Sequence, residues 1–140
     1  MEKLRIEAKK ENLNMMIDFI VDKYSEKVTD KKAINKMRVV SEEALLNIIN
    51  YAYPDKNGEL EICYEYDESG NFIEIRIIDE GKPFNPLEQE KPELHTAVED
   101  RQIGGLGIYM IKQIMDKVDY ERKDQQNILT LIKHISKEGS

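Results

Sequence analysis

Apolar and polar residues alternate through Leu4-Arg5-Ile6-Glu7-Ala8, and this period of two predicts a half-buried strand at the start of the chain. The period then lengthens. Leu13, Met16, Ile17, Ile20, Val21 and Tyr24 recur at three- and four-residue spacing, which predicts an amphipathic helix with Asn14, Asp18 and Asp22 on its polar side. A second helix is expected from a cap at Thr29 or Asp30 as far as Pro54, and residues 55–58 carry turn chemistry. Leu60, Ile62, Tyr64 and Tyr66 alternate with Glu59, Glu61, Cys63 and Glu65, so a strand with one apolar and one largely acidic face follows. Asp67 to Asn71 supplies a hairpin turn, and Phe72 to Ile78 forms its partner strand with Ile73, Ile75 and Ile77 on one side. Residues 80–103 lack periodicity and hold three of the four prolines, which predicts a long loop. A short helix from Leu106 to Lys117, a strand from Val118 to Glu121, a polar turn and a last strand from Ile128 to Ile135 complete the pattern.

Strand runs joined by tight turns, with helices clustered between them, predict an α+β fold. The expected architecture is a two-layer α/β sandwich with a mixed, mainly antiparallel sheet covered on one face by helices. The 140 residues suit a single domain, 1–140, able to bury one continuous core, and no repeat, linker or low-complexity tract interrupts them.

Charge narrows the function classes. Twenty-eight acidic residues against 21 basic ones give a net charge of −7, which argues against non-specific binding to nucleic acid or to an anionic membrane. Cys63 is the only cysteine, so neither an internal disulfide nor a cysteine-rich zinc site can form, and it reads as a packing or surface residue. The opening MEKLRIEAKK has no apolar signal core and no long uncharged apolar stretch follows, so a cytoplasmic location is expected.

Three features carry candidate chemistry. In the second helix, Glu43, Asn47 and Asn50 interrupt an apolar run at offsets of four and seven, which places them within about 60° around the axis. They are either the solvated face of an amphipathic helix or a stripe facing a polar pocket, where an amide oxygen ligates Mg²⁺ and a carboxylate serves as general base. Asp79-Glu80-Gly81-Lys82-Pro83-Phe84 follows an apolar strand directly. It is either an ordinary strand-ending turn or a site where Asp79 accepts from an exocyclic amine while Gly81 lets backbone approach a flat ring. Gly104-Gly105-Leu106-Gly107 precedes the last helix, as a hinge or as a cradle of backbone N–H groups for phosphates. It is neither a Walker A loop nor a Rossmann fingerprint.

In this order and spacing the three features resemble the N box and the two glycine boxes of the GHKL ATPases. Val40-Ser41-Glu42-Glu43-Ala44-Leu45-Leu46-Asn47, Ala52-Tyr53-Pro54, Asp100-Arg101-Gln102-Ile103 and Leu129-Thr130-Leu131-Ile132-Lys133 are similar to the anti-sigma factor serine kinase branch, and the likeness spans essentially the whole chain. The resemblance implies the Bergerat-type ATP-binding fold, with ATP and Mg²⁺ as ligands. It implies that Asn47 holds the metal, Glu43 orients or deprotonates the attacking hydroxyl, and Asp79 reads the adenine amine with Gly81 permitting close approach. Gly105, Leu106 and Gly107 then wrap the phosphates, residues 85–103 form an ATP lid, Asn50 lines the phosphate region, and Arg101 and Lys112 are available cations. Tyr51 stands where family members often have His, and no Gly-Thr box precedes the last strand, where Gln125-Gln126-Asn127-Ile128 stands instead. Thr130 is the hydroxyl available as a replacement.

The activity implied is that of a serine protein kinase acting on a STAS-domain anti-anti-sigma protein. A sigma factor is a second partner, and a homodimer is one assembly open to such a domain. A histidine kinase is disfavoured because no helical pair with a phosphoacceptor histidine precedes the domain, and His95 and His134 read as incidental. The rival class is a non-catalytic module in which nucleotide only orders a docking surface.

Overall fold

The computed structural model describes residues 1–53, 57–88 and 105–135. Its order is β1 (Glu2–Glu7), α1 (Leu13–Tyr24), α2 (Lys31–Tyr51), β2 (Glu59–Asp67), β3 (Phe72–Asp79), α3 (Gly105–Ile114), β4 (Lys117–Lys123) and β5 (Gln126–His134). The five strands form one sheet in the order β1-β2-β3-β5-β4, and every pairing is antiparallel. The three helices lie over one face, with α2 between α1 and α3.

Strand alternation decides which side chains enter the core. Leu60, Ile62 and Tyr64 of β2, Ile73, Ile75 and Ile77 of β3, and Leu129 and Leu131 of β5 meet the apolar stripes of the helices. Each isoleucine or leucine so buried contributes roughly 1.5–3 kcal/mol by leaving water. The opposite face carries charged pairs such as Arg5–Glu59 at 3.0 Å and Arg76–Glu74 at 3.5 Å. Cys63 points to this charged face and is nevertheless buried, between its register neighbours Lys3 and Arg76, with its Sγ 3.5 Å from Glu61 Oε1.

Both hairpins follow local chemistry. At 67–71, Asp67 Oδ1 accepts from Ser69 Oγ at 2.7 Å and from Gly70 N at 3.0 Å, and Asn71 takes a positive φ of 52°. The β4–β5 turn puts Asp124 and Gln125 at φ 52° and 66°, the two consecutive left-handed residues of a tight hairpin turn.

Two helix limits differ from the sequence pattern. Asp30 occupies the N-cap position of α2 without a side-chain capping bond, and the helix ends at Tyr51, short of Pro54, which lies outside the described residues. The last helix stops at Ile114, not Lys117, because Asp116 N bonds to Ile132 O at 2.9 Å and already joins the chain to the sheet. Within the expected loop, residues 86–88 form a single 3-10 turn, and 89–104 lie outside the described residues. Among the described residues no helix is long and apolar enough to cross a membrane.

Candidate functional site

The C-terminal half of α2 packs beside the end of β3, and this junction holds the chemistry. Asn47 is 2% exposed, and among the described residues neither its Nδ2 nor its Oδ1 has a hydrogen-bond partner. Glu43, one turn earlier, is half-buried, and burial followed by the nearby charge of Glu42 pushes its carboxyl above the ordinary value. Asn50 is also half-buried. The stripe is therefore not a solvated face, because its central residue is sealed from water.

Asp79 has the same strand parity as Ile73, Ile75 and Ile77, so alternation turns it toward the helices at the point where β3 ends. It is 3% exposed. Its Oδ1 accepts from Gly81 N at 2.8 Å and from Asn127 Nδ2 at 2.9 Å, whereas Oδ2 takes no bond among the described residues. Burial pushes its carboxyl up, against the opposing pull of the Asn127 and Gly81 hydrogen bonds and of the Arg122 charge.

The turn after Asp79 is pinned to the helix end. Lys82 N donates to Ala52 O at 3.0 Å, which satisfies a carbonyl that the end of α2 leaves open. Glu80 N donates to Tyr53 Oη at 2.8 Å, and that hydroxyl donates to Glu59 O at 2.7 Å. A Cβ on Gly81 would fall far inside van der Waals contact with Ala52 O, so the absence of a side chain is already required by the helix end.

Ala44, Asn47, Ile48, Ala52, Ile77 and Asp79 line a cleft closed on its other side by Phe84, Pro86, Tyr120, Asn127 and Leu129. Its apolar walls carry four polar side chains, the amides of Asn47 and Asn127, the Tyr120 hydroxyl and the Asp79 carboxylate. Apolar walls beside a carboxylate are the chemistry that receives a flat heteroaromatic ring with a polar edge. Tyr51, at the position where the family often has His, stacks on Phe84 with centroids 4.9 Å apart and so backs that wall.

The structure brings Asn47 and Asp79 into one cleft and leaves Glu43 and Asn50 beside it, outside the lining. Gly105, Leu106 and Gly107 form the first turn of α3, where backbone N–H groups lack helical partners. Lys112 is not a free cation, because its Nζ donates to Leu87 O at 3.3 Å. Arg101 and His95 lie outside the described residues, and His134 packs edge-on against Phe72 at the far end of β5. Thr130 is a correction: it has the opposite parity to Asn127, Leu129 and Leu131, so it lies on the sheet face away from the cleft. The polar group from β5 in the cleft is Asn127, whose only sequence signal was its place in the turn that replaces the Gly-Thr box.

Comparison with known proteins identifies the family. Residues 6–133 match the family model for the histidine kinase-like ATPase domain. The chain belongs to that family. It falls in the anti-sigma factor serine kinase branch. It is 32% identical to the serine-protein kinase RsbW of Oceanobacillus iheyensis over 113 residues, covering 76% of this chain and 69% of the relative. It is 27% identical to the serine/threonine-protein kinase BtrW of Bordetella bronchiseptica over 104 residues, covering 74% of this chain and 72% of the relative. With RsbW of Bacillus thuringiensis the identity is 30% over 109 residues, with 75% and 66% covered.

Asn47 provides the test of whether a metal fits. A buried amide oxygen without a partner is the kind of hard oxygen donor that Mg²⁺ takes. Among the described residues no three His, Cys, Asp or Glu side chains cluster, so further ligands would come from phosphate and water, as is usual for Mg²⁺ at nucleotide sites.

Proposed function

We propose that this protein is a cytoplasmic Mg-ATP-dependent serine kinase acting on a STAS-domain anti-anti-sigma protein, and that it also sequesters a sigma factor. The observation that carries the nucleotide half of this reading is the sealed Asn47 amide, unpartnered among the described residues, in the same cleft as the Asp79 oxygen that takes no bond from them. The names of the relatives support the kinase half.

Adenine enters the apolar cleft with its amine donating to Asp79 Oδ2. A guanine would bring a carbonyl against the same carboxylate and be repelled. Asn47 Oδ1 would hold Mg²⁺, which would supply neutralisation of phosphate charge. The first-turn N–H groups of Gly105, Leu106 and Gly107 donate to the phosphate oxygens, with Asn50 beside them, and residues 85–103 close over the nucleotide as a lid. Glu43 receives the serine hydroxyl proton as the oxygen forms its bond to the γ-phosphorus, and ADP leaves. A raised carboxyl suits that task, because a base is most effective when its pKa approaches the working pH.

Incubating the protein with radiolabelled ATP, Mg²⁺ and a purified STAS-domain anti-anti-sigma protein from the same organism tests the reading. Label on a serine of the partner is the expected result. Tight ATP binding with no label on the partner would leave the non-catalytic, nucleotide-gated module as the correct description.

A further inference from the structure

The antiparallel register lines up one row of residues across the sheet, Leu60, Asp79 and Asn127 buried on β2, β3 and β5 and Arg122 exposed on the edge strand β4. Three of the four are polar, at the point where the sheet meets the cleft. We propose that Asn127 and Arg122 are positioning residues for base recognition, a clamp from the β4–β5 hairpin that fixes the Asp79–Lys82 turn and leaves Asp79 Oδ2 as its only acceptor for the nucleotide base. The inference rests on the nucleotide reading above.

The hydrogen-bond inventory supports it. An asparagine side chain has two N–H donors and two acceptor sites on its oxygen. Asn127 Nδ2 donates to Asp79 Oδ1 at 2.9 Å and to Lys82 O at 2.8 Å. Its Oδ1 accepts from the Tyr120 hydroxyl and from Arg122 Nη1 at 3.2 Å. All four positions are used within the protein, so this 5%-exposed amide has none left for a ligand although it lines the cleft. Arg122 Nη1 also donates to Gly81 O at 2.7 Å. The turn is thus held on one side by the end of α2, through Lys82 N and Ala52 O, and on the other by the hairpin. Asp79 Oδ1 already accepts twice, and the carboxylate cannot rotate to offer it without breaking both bonds.

Such a clamp acts on the reading of the base more than on the phosphates. The test compares Mg-ATP with Mg-ITP, which carries a carbonyl in place of the adenine amine, by calorimetry on wild type, Arg122→Met, Arg122→Lys and Asp79→Asn. Loss of a charge-assisted hydrogen-bond pair should weaken ATP binding by Arg122→Met about tenfold and ITP binding less than about twofold. Arg122→Lys keeps the charge and one donor direction, so it should recover part of the selectivity, and it carries the test if Arg122→Met does not melt cooperatively. In the Asp79→Asn background the Arg122 substitution should add less than about twofold, because the two act through one contact. Equal weakening of ATP and ITP, unchanged ATP binding, or full additivity with Asp79→Asn would each overturn the clamp. If wild type fails to prefer ATP, or Asp79→Asn keeps the preference, the nucleotide reading itself fails. If Asp79→Asn loses selectivity and the Arg122 variants keep it, only the clamp fails.

Discussion

Burying the Asn47 amide without partners costs about 1–3 kcal/mol, a penalty that packing alone gives the fold no reason to bear. On the proposed reading a bound cation offsets it, so Asn47→Ala should melt no lower than wild type while Mg²⁺-dependent ATP affinity falls and metal-free binding partly survives. Glu43→Gln keeps size and hydrogen-bonding capacity, so it should bind Mg-ATP normally and lose phosphoryl transfer by about 100-fold or more. Calorimetry with and without Mg²⁺, beside a phosphotransfer assay, separates the two. Transfer at the wild-type rate by Glu43→Gln would remove it as the base. These residues were legible because an amide and two carboxylates interrupt apolar runs at fixed offsets. Asn127 and Arg122 were not, since their partners are 48 and 41 residues away in sequence and only the strand register unites them. Thr130 was chosen for its hydroxyl, and strand parity, which Asn127, Leu129 and Leu131 reveal only once their burial is known, turns it to the wrong face.

At the scale of elements, the site exists because the end of α2 and the exit of β3 share backbone contacts. Gly81→Ala would drive a methyl into the Ala52 carbonyl, which cannot swing aside because it accepts from Lys82 N. We expect a loss of about 1–3 kcal/mol, as for overpacking elsewhere, and a weaker ATP affinity because Asp79 shares the displaced turn. Thermal melting and titration of the same sample check both, and an unchanged melt would mean that the turn yields. Alternation in β2 and β3 was read correctly from sequence because one face is apolar and the other charged. The limits of α2 and the last helix were misjudged because tertiary bonds set them, Lys82 N to Ala52 O at one end and Asp116 N to Ile132 O at the other. A strand-ending turn and ring approach are the two readings the sequence offers for Gly81, and no local pattern shows that a helix end lies against it.

The whole molecule keeps two carboxyls, Asp79 and Glu43, in surroundings that raise their pKa, and this makes stability depend on pH. A raised folded-state value means that the folded protein holds the proton more tightly than the unfolded chain. The resulting stability is fully present below the ordinary carboxylate range and is lost as pH rises through the raised values. Asp79→Asn and Glu43→Gln should therefore melt higher than wild type near pH 7, with the difference closing as pH falls toward the ordinary range, and scanning calorimetry across pH reads this directly. A wild type that melts higher than both variants at pH 7 would show that these groups are structural. On the proposed reading Asp79 reads an adenine amine in the cleft, at the expense of stability. Titration of wild type and Asp79→Asn with Mg-ATP tests it most directly. The account predicts an affinity loss of about tenfold or more in the variant, as expected for a charge-assisted hydrogen bond, in a protein that remains folded. Affinities within twofold of each other would contradict it.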